Sequence, residues 1–165
     1  MFETPVHPGL SKASPYEELT SSLVGLVEGE TDALANLANA AALLSQSLEA
    51  INWCGFYLLR GEELVLGPFQ GKPACVRIPV GKGVCGAAAR ERATIVVPDV
   101  SRFPGHITCD PASRSEIAVP ILEDGDLRGV LDVDAPEVGR FDHADLAGLE
   151  AFVATLTPRI AWGSL

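Results

Sequence analysis

The chain lacks both an excess of positive charge and a hydrophobic run long enough to cross a membrane. It has 12 Lys and Arg against 22 Asp and Glu, a formal net charge of −10. Without a basic patch to neutralise phosphates, nucleic acid and anionic membranes are not expected partners, whereas a small cationic or zwitterionic ligand is compatible. No apolar run approaches the roughly 20 residues of a membrane helix, and no signal peptide opens the chain. We therefore expect a cytoplasmic protein.

Cysteine is scarce, with four in 165 residues, and no Cys-x-x-Cys pair occurs. A structural zinc site normally has such a close pair of ligands. His106 and Cys109 lie three residues apart, but no second close pair joins them, so we expect no metal. Thiols in the cytoplasm stay reduced, which favours catalysis, metal binding or simple burial over structural disulfides. Cys54, in the middle of a predicted strand, is expected to be a small buried hydrophobe.

The apolar periodicity predicts two helices, three strands, a short helix, three more strands and a final helix. The predicted helices are Ser14 to Gly29, Thr31 to about Leu48, Gly81 to Arg92, and one capped by Asp142; the strands are Asn52–Leu59, Glu63–Phe69, Ala74–Pro79, Thr94–Val97, Ser115–Leu122 and Leu127–Ala135. Hairpin turns between strands imply an antiparallel sheet. Helices gathered at both chain ends would cover one face of it, which is an α+β architecture. We expect residues 1–13 to be a leader and 14–165 to form one domain.

Three of the four cysteines fall within residues 71–110, a stretch that is dense in Gly and Pro. Cys75 opens a predicted strand, Cys85 lies near the start of the short helix, and Cys109 lies in a loop over residues 98–114. A loop of that length is usually functional, and thiols at such positions are accessible for redox chemistry. On spacing alone Cys85 is the expected nucleophile, because helix N-terminal N–H groups lower a thiol pKa.

Three acids and two aromatic residues suggest a pocket for a cation. Asp132 and Asp134 share one face of a predicted strand because strand side chains alternate, and Glu116 opens the other strand of that hairpin. Neighbouring carboxylates repel each other, so either a cation lies beside them or they form a solvent-facing polar stripe. Trp53 and Tyr57 share one face of the first strand and would suit the pocket as walls, because aromatic faces attract cations.

Five segments, in their order along the chain, resemble the free methionine-(R)-sulfoxide reductases, which are stand-alone GAF-domain enzymes. They are NWCGFYLL, GPFQGKPACVRIPVGKGVCGAAA, FPGHITCD, SEIAVPI and LDVDAP. The resemblance covers about Ile51 to Leu149. It implies a GAF-like antiparallel sheet of about six strands, with the N- and C-terminal helices packed on one face. It further implies reduction of free L-methionine (R)-sulfoxide in oxidative stress repair, no bound cofactor, thioredoxin of an NADPH-dependent system as reductant, and often a homodimer.

The resemblance also implies a role for each candidate residue. Cys109 matches the family's nucleophile, Cys75 the thiol that closes a disulfide with it, and Cys85 an alternative resolving or relay thiol. The implied substrate-binding residues are Trp53, Tyr57, Glu116, Asp132 and Asp134. Where spacing favours Cys85 as nucleophile, we follow the family and expect Cys109, which would form a sulfenic acid and then a disulfide. Cys54 departs from the family, which usually has a small apolar residue there.

Three other functions remain open at this point. A GAF domain can bind a small molecule without chemistry, but such a sensor has no need for Cys75 and Cys109 together with the acids. A thiol redox sensor or peroxidase would use the same cysteines without an amino-acid pocket, and the acids argue against it. A structural zinc domain is a third reading, which a metal assay on the purified protein tests.

Overall fold

A six-stranded antiparallel sheet forms the frame of the molecule. The computed structural model describes residues 13–165. The helices are α1 (Ala13–Val27), α2 (Ala33–Ser47), α3 (Gly83–Glu91) and α4 (His143–Leu156). The strands are β1 (Trp53–Arg60), β2 (Glu63–Gln70), β3 (Arg77–Pro79), β4 (Ile95–Val97), β5 (Ser115–Glu123) and β6 (Asp126–Ala135). Residues 1–12 of the predicted leader lie outside the described residues. The last residue of the predicted leader, Ala13, is the first residue of α1.

The strands follow the order β3-β2-β1-β6-β5-β4, and each neighbouring pair is antiparallel. The β5–β6 hairpin places Glu116 opposite Asp134, and β1 places Trp53 opposite the same aspartate. Asp132 lies opposite Gly55 of β1. The register therefore brings the predicted acids together with the predicted aromatic strand, at the centre of the sheet.

One face of the sheet, here called the apolar face, packs against α1, α2 and α4. From β1 it presents Cys54, Phe56 and Leu58, all buried in the larger hydrophobic core. Phe152 of α4 lies fully buried in the same core. The predicted packing of the terminal helices on one face is confirmed, and so is the burial of Cys54, which is 0% exposed.

The opposite face, here called the site face, carries the alternate residues of β1, including Trp53 and Tyr57. It is covered by α3 and by residues 98–114, here called the long loop. Because strand side chains alternate, the same strand supplies a purely apolar core on one side and the walls of a site on the other. The long loop contains one 3-10 turn, Val100–Arg102, which Asp99 caps by accepting a hydrogen bond from Ser101 N.

One predicted strand boundary differs from the structure at a candidate site residue. The third strand begins at Arg77 and not at Ala74, so Cys75 lies in the β2–β3 loop. Both backbone groups of Cys75 are used outside the sheet: its carbonyl accepts from Tyr57 Oη at 2.9 Å and its N–H points to Cys109 Sγ at 3.4 Å. At the other end, Asp142 caps α4 as predicted, accepting from two backbone N–H groups. No helix within residues 13–165 is long and apolar enough to span a membrane.

Candidate active site

A cavity opens on the site face, between the sheet, α3 and the long loop. It encloses about 510 Å³ of space outside the atoms, part of it open to solvent. The predicted site residues that line it are Trp53, Tyr57, Cys85, Cys109, Glu116, Asp132 and Asp134. Cys75 is the one predicted site residue that does not. The cavity thus brings together thiols, acids and aromatics that are spread over 82 positions of sequence, from 53 to 134.

Cys75 and Cys109 are joined by a disulfide, with their Cα atoms 5.8 Å apart. This is the pairing that the family resemblance implied. The bond connects the β2–β3 loop to the long loop, and both cysteines are half-buried. Cys109 lies at the cavity wall and Cys75 lies behind it, so of the two sulfurs only that of Cys109 belongs to a cavity-lining residue.

Asp110, next to Cys109, holds the two cysteine-bearing loops together. Its carboxylate accepts hydrogen bonds from Ala112 N at 2.9 Å, Lys72 Nζ at 3.2 Å and Asn52 Nδ2 at 3.2 Å. The Ala112 N–H is the largest cause of a lowered pKa for Asp110, and Lys72 and Asn52 add to it. Because Lys72 belongs to the same loop as Cys75, this contact ties the two loops independently of the disulfide.

The three acids form a buried cluster in which protons are retained at unusually high pH. Glu116 and Asp132 are each 6% exposed. Burial, followed by the charge of Asp134, raises the pKa of Glu116 to about 8. Burial followed by Glu116 raises the pKa of Asp132, and burial followed by Asp132 raises that of Asp134. Glu116 is therefore largely protonated at neutral pH and able to donate a proton or a hydrogen bond.

One atom of the cluster is left without a partner. Asp132 Oδ1 is buried and accepts no hydrogen bond from any residue of the range 13–165. Buried polar atoms in native proteins are nearly always satisfied, and an orphan buried oxygen is costly. Since Asp132 lines the cavity, its free oxygen is available to a donor or a cation that enters there.

Cys85 lies deeper than the sequence suggested. It is 4% exposed, and its Sγ lies 3.7 Å from Glu116 Oε1. Burial is the largest cause of a pKa well above the usual thiol value, and Asp132 and Glu116 raise it further. The expectation that the start of α3 lowers this pKa is wrong, because the carboxyl groups and the loss of water outweigh the helix N-terminus.

Gly83 sets the approach of the long loop to α3. Its φ of +62° lies in the left-handed region that favours glycine. A Cβ atom there would also meet Ile107 of the long loop at 3.1 Å. The glycines that open the predicted short helix thus allow the loop to close over Cys85 and the cavity.

Two aromatic rings form the predicted wall. Trp53 and Tyr57 stack with ring centroids 5.9 Å apart, and Phe69 of β2 stacks on the other side of Trp53 at 5.3 Å. Trp53 Nε1 donates to the Lys72 carbonyl at 3.1 Å. Both predicted aromatic residues therefore line the cavity. Both also hold the β2–β3 loop in place, Trp53 by its hydrogen bond to the Lys72 carbonyl and Tyr57 by its hydrogen bond to the Cys75 carbonyl.

His106 of the long loop contacts the acid cluster directly. Its Nε2 lies 3.3 Å from Glu116 Oε2, and burial lowers the pKa of this histidine. A lowered imidazole pKa beside a raised carboxyl pKa leaves both groups neutral near pH 7. The contact is therefore a close approach of two neutral groups and not an ion pair. It links the buried Glu116 to a side chain that is 13% exposed.

Comparisons with known proteins place the chain in a family. Residues 32–159 match the family described as GAF domain. The free methionine-R-sulfoxide reductase of Escherichia coli is 49% identical over 92% of this chain and 92% of its own. That of Saccharomyces cerevisiae is 46% identical over 86% of this chain and 83% of its own. The chain belongs to the free methionine-R-sulfoxide reductase family of GAF domains.

A solved structure of the same family agrees with the fold. The free methionine-R-sulfoxide reductase of Neisseria meningitidis, in complex with its substrate, superposes with a TM-score of 0.90. It is 42% identical and the match covers 98% of each chain. The GAF-like α+β fold expected from the sequence is therefore confirmed, including the six-stranded antiparallel sheet.

The sequence reasoning missed four residues that complete the site of this family member: Asn52, Lys72, His106 and Asp110. Asp110 and His106 fall in a loop without periodicity, so no face could be assigned to them. Asn52 opens the first predicted strand, and Lys72 lies between the second and third predicted strands. The only available signal was their position inside the quoted motifs, since Asp110 directly follows Cys109 and Asn52 directly precedes Trp53.

Proposed function

We propose that this protein is a thiol-dependent oxidoreductase that converts free L-methionine (R)-sulfoxide to methionine, with residues 14–165 as a single catalytic domain. The observation that carries the proposal is the position of Cys109. It is one end of a disulfide and it lines the cavity that also contains the buried acids. A redox-active thiol thus faces a pocket suited to a small ligand with a positive charge.

The pocket is suited to an amino acid because its acids and aromatics complement different parts of one. The substrate's ammonium group would lie against Asp132 and Asp134, where the orphan oxygen of Asp132 accepts a donor. The side chain would pack along Trp53, because an aromatic face binds apolar and thioether groups. The acid cluster supplies recognition, which a simple thiol peroxidase does not need.

The chemistry transfers one oxygen from the substrate sulfur to the enzyme. The Cys109 thiolate attacks the sulfoxide sulfur, and protonated Glu116 gives its proton to the sulfoxide oxygen. Methionine leaves with its sulfur reduced by two electrons, and Cys109 becomes a sulfenic acid, oxidised by two. The contact between His106 and Glu116 offers a path by which Glu116 regains a proton.

The cycle closes through the second thiol. Cys75 attacks the Cys109 sulfenic acid, water leaves, and the Cys75–Cys109 disulfide forms. An external dithiol, for which we propose thioredoxin in the cytoplasm, then reduces the disulfide by exchange. No bound cofactor is needed for these steps. Cys85 is the relay thiol of this proposal, which exchanges into the disulfide from its buried position.

Turnover of the two free methionine sulfoxide epimers with thioredoxin tests the proposal. We expect the wild type to reduce the R epimer, and Cys109→Ser to lose at least about a thousandfold in turnover, because no other thiol can attack in its place. Cys75→Ser should complete one turnover per enzyme and then stop. Full activity in Cys109→Ser would show that the nucleophile is assigned wrongly.

The proton donor and the rival functions are tested in the same assay. Each acid is replaced by its amide, which keeps the shape of the side chain and removes its acidic proton: Glu116→Gln, Asp132→Asn and Asp134→Asn. The variant that lacks the proton donor, which we propose is Glu116, should lose turnover at saturating substrate. Unchanged turnover in all three would refute acid catalysis by the cluster. Peroxide offered alongside methionine sulfoxide separates a reductase from a thiol peroxidase, and a sensor would turn over neither.

A further inference from the structure

One group of side chains in the cavity has a composition that the proposed reduction alone does not require. Cys85, Glu116 and Asp132, here called the thiol–acid cluster, each offer an atom that lies within 4.8 Å of those of the other two. All three side chains are buried. His106 adds a nitrogen 3.3 Å from Glu116 Oε2. Sulfur, imidazole nitrogen and carboxylate oxygen are the three ligand types that Zn²⁺ takes in proteins.

Two of the distances between these side chains match those between neighbouring ligands of a tetrahedral site. Zinc–ligand bonds of about 2.0–2.3 Å put neighbouring ligand atoms about 3.3–3.8 Å apart. Cys85 Sγ and Glu116 Oε1 are 3.7 Å apart, and the His106–Glu116 contact is 3.3 Å. Glu116 thus has one oxygen toward the thiol of Cys85 and the other toward the imidazole of His106.

An independent observation indicates that this position is built for a positively charged partner. Asp132 is 6% exposed, and its Oδ1 has no hydrogen-bond partner among the described residues. By contrast, the buried carboxylate of Asp145 is satisfied by Tyr16 Oη, Arg140 Nη1 and Asp142 N. The carboxylate of Asp145 is therefore hydrogen-bonded by groups of the protein, whereas that of Asp132 keeps one oxygen free at the cavity.

We propose that the thiol–acid cluster, with His106 as a fourth ligand, is a binding site for a thiophilic divalent cation such as Zn²⁺. Because Glu116 and Asp132 also bind the substrate in the proposed function, the metal and the sulfoxide compete for one place, and the cation inhibits the reductase. The inhibition rests on the proposed function, whereas the binding does not. The site differs from the pair His106 and Cys109, because Cys109 is engaged in the disulfide.

The disulfide form of the protein isolates this site. All four cysteines lie within residues 13–165, and in this form the free thiols are Cys54 and Cys85. Protein stripped with a chelator and kept without reductant is titrated with Zn²⁺ in a calorimeter, and with Co²⁺ in an absorption spectrometer. We expect one Zn²⁺ per chain, and with Co²⁺ the intense visible bands of a tetrahedral site plus a thiolate-to-metal charge-transfer band.

Matched cysteine variants locate the ligand. Cys85→Ser should weaken Zn²⁺ binding by well over tenfold and abolish the charge-transfer band, since even loss of an outer-shell partner costs about 10–100-fold in metal affinity. Cys54→Ser changes the other free thiol, on the apolar face, and should leave both readouts unchanged. His106→Gln should weaken binding while retaining the charge-transfer band, because the thiolate remains.

Three results would overturn the inference. The first is that Cys85→Ser binds Zn²⁺ as tightly as the wild type does. The second is that the wild type binds Mg²⁺ as tightly as Zn²⁺. The third is that the Co²⁺ spectrum of the wild type lacks the thiolate-to-metal charge-transfer band. The last needs no variant, so misfolding of Cys85→Ser does not leave the proposal untested. The turnover of methionine sulfoxide by the chelator-treated enzyme is measured separately. If the enzyme has no turnover, the proposed reductase function is contradicted. If it is active and Zn²⁺ does not inhibit it, only the competition between metal and substrate is contradicted.

Discussion

The two faces of the sheet each bury a free thiol, yet the thiols have different surroundings. Cys54 on the apolar face is 0% exposed and its Sγ contacts the Ala41 carbonyl at 3.4 Å. Burial is the main cause that raises its pKa to about 12. Cys85 on the site face lies against Glu116 and lines a cavity. Depth alone therefore does not distinguish a structural cysteine from one in a site; the neighbouring groups do.

The same contrast holds for the buried acids. On the side of the apolar face, Asp145 receives hydrogen bonds from a tyrosine, an arginine and a backbone N–H, as described above. On the site face, the acids face mainly one another, and their pKa values are raised. A core stabilises its charges with fixed partners, whereas this site retains unfavourable interactions that a ligand can relieve. The four predictions below test this difference between the faces.

The largest effect on stability is expected from neighbouring residues of β1 that point to opposite faces. Phe56→Ala removes a fully buried ring from the apolar face and should lower the free energy of unfolding by about 3–5 kcal/mol. Tyr57→Phe removes one hydroxyl, which donates to the Cys75 carbonyl, and should cost about 0.5–1.5 kcal/mol. Urea unfolding under reducing conditions measures both. Equal losses would show that the faces do not differ in packing.

The acid cluster should make stability depend on pH. Glu116 has a folded pKa of about 8 against an ordinary 4.5, so the folded state binds more protons than the unfolded state between these values. Stability is then fully present below about pH 4.5 and falls as the pH rises to about 8, by up to ~1.4 kcal/mol per pH unit. Glu116→Gln should remove this part of the slope. An unchanged slope in unfolding curves taken across the window would contradict the raised pKa.

The contact between Asp110 and Lys72 should favour the disulfide. Asp110→Ala removes three hydrogen bonds that fix the long loop beside Cys109, one of them from Lys72 of the β2–β3 loop. It should lower the equilibrium constant for the Cys75–Cys109 disulfide against glutathione by about tenfold. Lys72→Met removes only an ion pair whose lysine is 69% exposed, and should change it by less than about threefold. The reverse order would mean that the Lys72 contact, and not the hydrogen bonds from Ala112 and Asn52, sets the disulfide equilibrium.

The smallest effect is expected from Cys54→Ser. The thiol takes no part in the proposed chemistry, and serine keeps its size and can donate to the Ala41 carbonyl. Turnover should stay within about twofold of wild type and stability within about 1 kcal/mol. A large loss of turnover with normal stability would assign Cys54 a role in the reaction and remove the distinction between the two buried thiols.

Periodicity explains how much of the fold could be predicted. Alternation along β1 and β6 assigned Trp53 and Tyr57 to one face and Cys54 and Phe56 to the other, and the structure agrees. The helices, the hairpin turn and the Asp142 cap follow from local spacing in the same way. The start of β3 was wrong because the Cys75 backbone is held by Tyr57 and Cys109, which are distant in sequence.

The sequence by itself therefore determined which residues are candidates and which side of the sheet each strand residue faces, because those depend on local backbone geometry. Only the tertiary structure decided that Cys85 is buried against carboxyl groups, that His106 contacts Glu116, and that Asp132 keeps an unpaired oxygen. The physical reason is that desolvation and charge interactions depend on how the long loop and α3 close over the sheet. Those through-space distances have no signature in the spacing of residues along the chain.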